Sequence, residues 1–121
     1  MHEMGLATSL VDCVLEATRG RGAVRIQEVE VEIGVLQRVV PEALSLAFAA
    51  ASAGTLAAGA ALKLIAVKAV AECRPCGSSF EPEWDDYLCP RCHQADVRVI
   101  RGNDVVLKSI VCEVEAGAPV P

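Results

Sequence analysis

The sequence of 121 residues predicts an α+β fold: a small sheet with two helices, plus an inserted zinc-ribbon-like four-cysteine module. Three observations predict it. Helical periodicity occurs in two segments, and strand-like alternation follows each of them. Two cysteine pairs then lie close together in the second half of the chain. A long apolar strand follows the cysteines, and it is too long for a small metal module alone. We therefore expect this strand to return to the first sheet.

The first helix is predicted over about sixteen residues after the opening Met1-His2-Glu3, and Gly20-Arg21-Gly22 ends it. Its apolar stripe is formed by Leu6, Leu10, Val14 and Ala17. Cys13 lies beside this stripe, so we expect a buried free thiol there.

The first strand is predicted from Ala23 to Gly34. Val29, Val31 and Ile33 alternate with Glu28, Glu30 and Glu32, which indicates one buried face and one solvated face. Ile26 has the opposite parity. The pattern thus indicates either a bulge near Gln27 or a strand that begins there.

A loop from Gly34 to Val40 leads to the second helix, which begins at Pro41 and stops at Gly54-Thr55. Leu44, Phe48 and Ala51 form its stripe. A strand from about Ala60 to Val70 has apolar residues on both faces, so we expect it in the centre of the sheet. Residues 43–62 carry no charge, but alanines and glycines dominate them, and we do not expect them to span a membrane.

The pairs Cys73-x-x-Cys76 and Cys89-x-x-Cys92, twelve residues apart, are typical of a four-thiolate zinc site. Two other interpretations stay open: a redox dithiol, and attachment of a c-type haem at Cys89-x-x-Cys92-His93. His93 itself is either an exposed loop residue or a stand-in ligand. Three aromatic residues lie between the pairs and are expected to cover the metal: Phe80, Trp84 and Tyr87.

After the cysteines we predict a strand from Ala95 to Arg101, a turn at Gly102-Asn103-Asp104 and a strand from Val105 to Val114. The predicted organisation is one α/β domain (residues 1–70 plus 104–115), a zinc module (71–103) and a flexible tail (116–121).

The overall charge and the cysteine content restrict the function. A net charge of −5 argues against nucleic-acid binding, since such domains usually carry a basic face. Cys13 and Cys112 are expected to be free and buried, and six unpaired thiols suit a reducing, cytoplasmic compartment. With two histidines and no paired catalytic acids, general acid–base catalysis has few candidate residues.

The N-terminus offers a second set of metal donors. The α-amine of Met1 and the amide nitrogen of His2 can close a five-membered chelate ring, and the imidazole of His2 closes a six-membered one. Planar nitrogen donors suit Ni(II) or Cu(II). The amide or carboxylate of Glu3, or a group from a partner, can supply the fourth donor of a planar site. Taken alone, however, a polar second residue is common in proteins.

Taken in order, these segments resemble the HypA/HybF family of nickel-insertion proteins. The resemblance spans essentially the whole chain and rests on six segments: Met1-His2-Glu3-Met4, Glu32-Ile33-Gly34, Val40-Pro41-Glu42-Ala43-Leu44 with Phe48, Gly54-Thr55, the two cysteine pairs, and Gly102-Asn103-Asp104.

The resemblance implies a nickel metallochaperone, and not an enzyme, that helps to insert Ni(II) into the [NiFe]-hydrogenase large subunit. It implies nickel at Met1, His2 and Glu3, and structural zinc at the four cysteines. The implied partners are the GTPase HypB and the large-subunit precursor; a homodimer is compatible with the sequence. Two positions differ from those of some family members: Val39-Val40 stands where they carry an acidic residue linked to nickel, and Gly77-Ser78 stands where they carry a histidine beside the first cysteine pair.

Two rival functions share the cysteines. A zinc-ribbon adaptor of the transcription or ribosome type would bind nucleic acid at physiological salt. A thiol oxidoreductase would use one C-x-x-C pair, with an accessible thiolate of low pKa, and would lose zinc without unfolding.

Overall fold

The computed structural model describes residues 2–83 and 86–115. This part of the chain contains two α-helices, one 3₁₀ turn (Val35–Gln37) and six strands. The helices are α1 (His2–Thr18) and α2 (Pro41–Ser52). The strands are β1 (Ala23–Gly34), β2 (Ala61–Val67), β3 (Val70–Cys73), β4 (Ser79–Phe80), β5 (Val97–Arg101) and β6 (Val105–Val114).

The strands form two sheets of three strands each, in the orders β2-β1-β6 and β4-β3-β5. The last strand of the chain therefore returns to the first sheet, and the α+β prediction is confirmed. None of the helices in the described ranges has the length and apolarity that a membrane span needs.

The chain divides into two compact units. The first contains residues 1–31, 39–65 and 106–121, and the second contains residues 32–38 and 66–105. The predicted module, 71–103, lies within the second unit, which is somewhat larger. The functional assignment of the domains stays a prediction, and the predicted tail, 116–121, lies outside the described residues.

In the first unit, α1 packs against α2, but its buried face differs from the predicted stripe. The buried residues of α1 are Ala7, Leu10, Val11, Val14 and Thr18. Ala17 and Cys13 are exposed, so the prediction of a buried thiol at Cys13 was wrong. Thr18 can occupy a buried position on this face although it is polar. Its hydroxyl donates a hydrogen bond to the carbonyl of Val14 at 2.9 Å and therefore needs no water molecule as acceptor. Cys112 on β6 is half-buried.

The second helix begins as predicted, with Pro41 in its first turn, and it buries Leu44, Ala47, Phe48 and Ser52. Proline suits this position because its missing N–H would have no partner inside the helix. Ala51, which the sequence placed on the stripe, is half-buried.

The centre of the first sheet is β1 and not the second strand, so that prediction was wrong. Val29 and Val31 of β1 are fully buried, whereas β2 has no buried residue and lies at an edge. Strand β1 runs unbroken from Ala23, and its buried positions change parity between Ile26 and Val29. This pattern favours the predicted bulge over a late start of the strand.

The glutamates on the other face of β1 are half-buried and paired, so the prediction of a solvated row is only partly right. Glu28 accepts from Lys63 of β2 at 2.6 Å, and Glu30 lies 3.6 Å from Lys108 of β6. The row therefore takes part in cross-strand charge pairs.

In the second unit, the backbone at the end of β1 packs directly against the backbone of the turn before β6. The N–H of Gly34 donates to Asp104 O at 2.8 Å, and the N–H of Leu36 donates to Gly102 O at 2.9 Å. Gly102, at φ +95°, also lies close to Ala69, because a Cβ added to Gly102 would be 2.4 Å from the Cα of Ala69. Ala69 stands between β2 and β3, so the strand predicted from Ala60 to Val70 is divided at this crossing.

Candidate metal centre

The first cysteine pair is held by a tight turn that follows β3. The N–H of Gly77 donates to Cys73 O at 2.8 Å, and the N–H of Cys73 donates to Ser78 O at 2.8 Å. Gly77 has φ +74°, a left-handed conformation that glycine adopts without strain. The turn thus directs both sulfurs to the same side.

The second pair repeats this turn residue for residue. The N–H of His93 donates to Cys89 O at 2.8 Å, and the N–H of Cys89 donates to Gln94 O at 3.0 Å. His93 takes the position of Gly77 and the same left-handed backbone, at φ 63°. Its side chain is exposed and is not part of the sulfur cluster, so the structure places it as the loop residue of the two predicted alternatives.

The two turns bring the sulfurs of Cys73, Cys76, Cys89 and Cys92 within 4.8 Å of one another. Two of the separations are 3.4 Å, between Cys73 and Cys92, and 3.6 Å, between Cys76 and Cys89. Four sulfurs around a tetrahedral zinc ion are about 3.8 Å apart, because each Zn–S bond is about 2.3 Å long. The cluster therefore fits a four-coordinate, thiolate-preferring ion with no open position.

These distances also bear on the rival interpretations of the cysteines. Two short separations join sulfurs from different turns, and all four sulfurs lie within 4.8 Å of one another. A thiol oxidoreductase or a haem attachment site would use the two cysteines of a single C-x-x-C pair. The observed arrangement favours one shared metal.

The environment of the sulfurs differs within the cluster. Cys73 and Cys89 are fully buried, whereas Cys76 is exposed. Hydrogen bonds with the side chain and the backbone of Ser78 lower the pKa of Cys76 to about 6. At Cys73 a backbone hydrogen bond at Cys76 lowers the pKa, but burial and the neighbouring sulfurs outweigh it and raise the pKa to about 12. The Cys76 thiol thus ionises more easily than the Cys73 thiol, and the positive charge of a bound metal ion would favour the thiolate form.

Basic side chains lie in both turns. Arg91 lies 3.5 Å from the hydroxyl of Ser78, and Arg74 lies 3.7 Å from Asp96. Four thiolates around a divalent ion leave a net charge of −2, and nearby guanidinium groups offset such a charge.

At the N-terminus, Met1 lies outside the described residues, and the exposed His2 is the first residue of α1. The Glu3 carboxylate accepts a hydrogen bond from the N–H of Val40 at 3.3 Å. This bond is the largest cause of the lowered pKa of Glu3, followed by the backbone N–H of Glu3 itself. Val40 is the N-cap residue of α2, so Glu3 joins the first turns of both helices. The sequence did not predict this contact; the acid in the first turn of α1 was its only local signal.

The fold and the sulfur cluster together define a small metal-binding protein. A family model described as "Hydrogenase/urease nickel incorporation, metallochaperone, hypA" matches residues 1–112. The chain therefore belongs to the HypA family of nickel metallochaperones, which are maturation factors and not enzymes.

Individual relatives agree with this assignment. The chain is 42% identical over 113 residues to the hydrogenase maturation factor HypA of Chlorobium limicola, covering 93% of this chain and 97% of the relative. It is 39% identical over 115 residues to that of Pelodictyon phaeoclathratiforme, covering 95% and 98%. Among solved structures, the nickel metallochaperone HypA of Helicobacter pylori is similar, with a TM-score of 0.71 and 29% identity over 95% of this chain and 100% of that one.

Proposed function

We propose that this metallochaperone binds Ni(II) at its N-terminus and delivers it to the [NiFe]-hydrogenase large subunit during maturation. The donors are the α-amine of Met1, the amide nitrogen and imidazole of His2, and one group of Glu3. The observation that carries the proposal is the Met1-His2-Glu3 opening of a chain that belongs to this family. The exposure of His2 on the first turn of α1 supports it.

The position of His2 at the start of a helix makes its backbone available to nickel. The first four N–H groups of an α-helix have no acceptor within the helix. The amides of His2 and Glu3 can therefore lose their protons to nickel without breaking a helical hydrogen bond. The positive end of the helix dipole repels a cation such as Ni(II). Two deprotonated amides would offset the positive charge of the ion and so reduce this repulsion.

Of the two groups that Glu3 offers, the amide is the better fourth donor. The carboxylate is already engaged with the N–H of Val40 at 3.3 Å, and moving it to nickel would leave that N–H without its partner. The amide needs no rearrangement between the helices. The absence of an acid at Val39-Val40 also leaves that loop without a carboxylate for the metal.

We further propose that Cys73, Cys76, Cys89 and Cys92 hold structural Zn(II). Zinc prefers tetrahedral thiolate sets, and the separations in this cluster agree with one. In small zinc domains the metal supplies much of the folding free energy. The ion would thus fix the two turns as a rigid surface.

The proposed partners are the GTPase HypB and the hydrogenase large-subunit precursor, met in the cytoplasm. We propose that the N-terminus and the zinc turns provide the docking surface. The glutamate row of β1 is less suited, because Glu28 and Glu30 are engaged with Lys63 and Lys108. The net charge of −5 speaks against nucleic acid as a partner.

The test is a calorimetric titration of Ni(II) into zinc-loaded protein with an untagged N-terminus. We expect one nickel per chain at roughly micromolar affinity, about −8 kcal/mol. His2→Ala removes the imidazole and should abolish this binding while zinc content stays constant. His93→Ala is the matched control, because His93 is the chain's only other histidine.

Two results would contradict the proposal. One is nickel binding that survives His2→Ala; the other is nickel binding that occurs only as zinc leaves the cysteines. Delivery is tested in a host that lacks its own member of this family, where hydrogenase activity should return with the parent chain and with His93→Ala, but not with His2→Ala.

A further inference from the structure

The four sulfurs of the metal cluster are not equally accessible. Cys73 and Cys89 are fully buried and Cys92 is half-buried, whereas Cys76 is exposed. With zinc bound, all four would be thiolates, and the thiolate is the nucleophilic form of cysteine. The difference in access therefore makes Cys76 the sulfur that a reagent from solution meets first.

The exposed sulfur also has a hydrogen-bonding neighbour on its own turn. The hydroxyl oxygen of Ser78 lies 3.4 Å from Cys76 Sγ, within hydrogen-bonding reach of a sulfur atom. A thiolate has no proton and can only accept, so in the ionised cluster the hydroxyl is the donor. A lone pair that could attack an electrophile is thus engaged with Ser78.

Arg91 of the second turn fixes the direction of this hydrogen bond. Its Nη1 lies 3.5 Å from the hydroxyl oxygen of Ser78. A guanidinium group can only donate, so the oxygen accepts from Arg91 and its single proton is left for Cys76. Hydrogen bonds in such a chain polarise and strengthen one another. Arg91 and Ser78 together therefore present a donor with positive charge behind it to the exposed thiolate.

The second turn lacks this arrangement, although its backbone repeats that of the first. Gln94 takes the position of Ser78, because each accepts through its carbonyl from the first cysteine of its turn. Within the described ranges no hydrogen bond joins the side chain of Gln94 to Cys92. The side-chain donor thus accompanies the exposed sulfur and not its half-buried counterpart.

We propose that Cys76 is the site at which soft electrophiles modify the zinc cluster, and that Ser78 lowers its reactivity. With an alkylating agent such as iodoacetamide, Cys76 Sγ attacks the methylene carbon. A C–S bond forms, and iodide leaves with the electron pair of the C–I bond. The neutral thioether is a weaker zinc ligand than the thiolate, so the closed site opens at this corner. The inference rests on the proposed zinc site.

The hydrogen bond from Ser78 opposes alkylation because it stabilises the thiolate more than the neutral product. Hydrogen bonds to charged groups are stronger than those between neutral groups. Removing the hydroxyl should therefore raise the alkylation rate of Cys76 about tenfold. The backbone N–H of Ser78, which also bonds to Cys76, stays in place and limits the increase.

The test treats the zinc-loaded chain with excess iodoacetamide. It uses a Cys13→Ser background, so that the exposed thiol outside the cluster does not react. A chromogenic chelator follows zinc release, and peptide mass spectrometry follows each cysteine. Cys76 should react first of the four. Ser78→Ala should accelerate that step about tenfold, and Ser78→Thr, which keeps a hydroxyl, should stay near the parent rate. Gln94→Ala is the matched control in the other turn and should have no effect.

Selectivity distinguishes a lost hydrogen bond from loosened turns. In Ser78→Ala only Cys76 should accelerate; equal acceleration of Cys92 overturns the proposal, as does an unchanged rate or first alkylation at another of the four cysteines. Arg91→Ala should accelerate Cys76 by a smaller factor and add little to Ser78→Ala, because it acts through the hydroxyl. Full additivity of the two substitutions would contradict that chain.

The zinc content of the parent chain, measured first, tests the proposed function separately. A chain that binds no zinc at the cysteines overturns the proposed site and this inference together. One zinc per chain with equal rates in the parent and Ser78→Ala overturns this inference alone.

Discussion

Replacing Gly34 by alanine should destabilise the second unit strongly, although the change adds a single methyl group. A Cβ at this position would collide with the carbonyl carbon and oxygen of Gly102 and would lie 2.6 Å from the nitrogen of Asn103. All of these are backbone atoms, so no side-chain rotation can make room. The two chain segments must therefore move apart.

The cost follows from the hydrogen bonds that this separation breaks. Gly34 and Leu36 donate to Asp104 and Gly102 at 2.8 and 2.9 Å, and the side chain of Gln37 donates to Asn103 O at 2.7 Å. Each bond contributes about 1 kcal/mol net. The loss of two or three of them lowers the free energy of unfolding by about 2–3 kcal/mol, a large share of the 5–15 kcal/mol typical of a domain.

Urea unfolding followed by circular dichroism, with zinc in excess, measures this loss. Gly5→Ala is the matched control. Gly5 lies inside α1, and a Cβ added there would meet no neighbouring group within 4 Å, so the same substitution should stabilise the chain by up to about 1 kcal/mol. A Gly34→Ala chain within about 0.5 kcal/mol of the parent would refute the reasoning, since a methyl group tolerated there means that the segments are not in contact.

Three further predictions follow from burial and backbone conformation. Cys76→Ser should lower zinc affinity about 100-fold or more in a chelator competition, whereas Cys13→Ser, outside the cluster, should keep parental affinity; equal losses would contradict the assignment. Phe48→Ala should cost about 3–5 kcal/mol in urea unfolding because Phe48 is buried, whereas Leu46→Ala, at 74% exposure, should stay within about 0.5 kcal/mol. His93→Gly should raise stability by about 1 kcal/mol, since it relieves a left-handed residue, and unchanged or lower stability would argue against that strain.

The cysteine cluster was predictable because its information is local. Each C-x-x-C turn is closed by hydrogen bonds within six consecutive residues, so spacing alone indicates the geometry. The register of α1 was less predictable. Ala7 and Thr18 lie on its buried face although neither is strongly apolar, and Thr18 can be buried only because its hydroxyl bonds back to Val14. The stripe predicted from the sequence was therefore rotated slightly about the helix axis relative to the observed buried face. This rotation placed Cys13 wrongly on the buried side.

The position of the second strand depended on contacts that are distant in sequence. No glycine or proline in the run from Ala60 to Val70 indicates a break, although Lys68 and Ala69 are residues that favour strands only weakly. The break at Ala69 arises where Gly102 approaches the backbone of Ala69, more than thirty residues later. The link between Glu3 and Val40 is of the same kind: each residue is ordinary in its own helix, and only the packing of α1 against α2 brings them together.

The backbone holds the two proposed donor sets in different ways. This difference suits a structural role for the zinc ion and transfer of the nickel ion. The sulfurs project from turns whose backbone is closed by hydrogen bonds, and two of them are fully buried, so a metal there exchanges only if the turns open. The imidazole of His2 is exposed, and the amides beside it have no helical partner to lose. Protons compete with metal for the amine, the amides and the imidazole, so we expect nickel bound at the proposed site to leave on acidification. A protein that must give up its cargo needs such an open site, and the closed cluster allows the rest of the chain to stay folded while it does so.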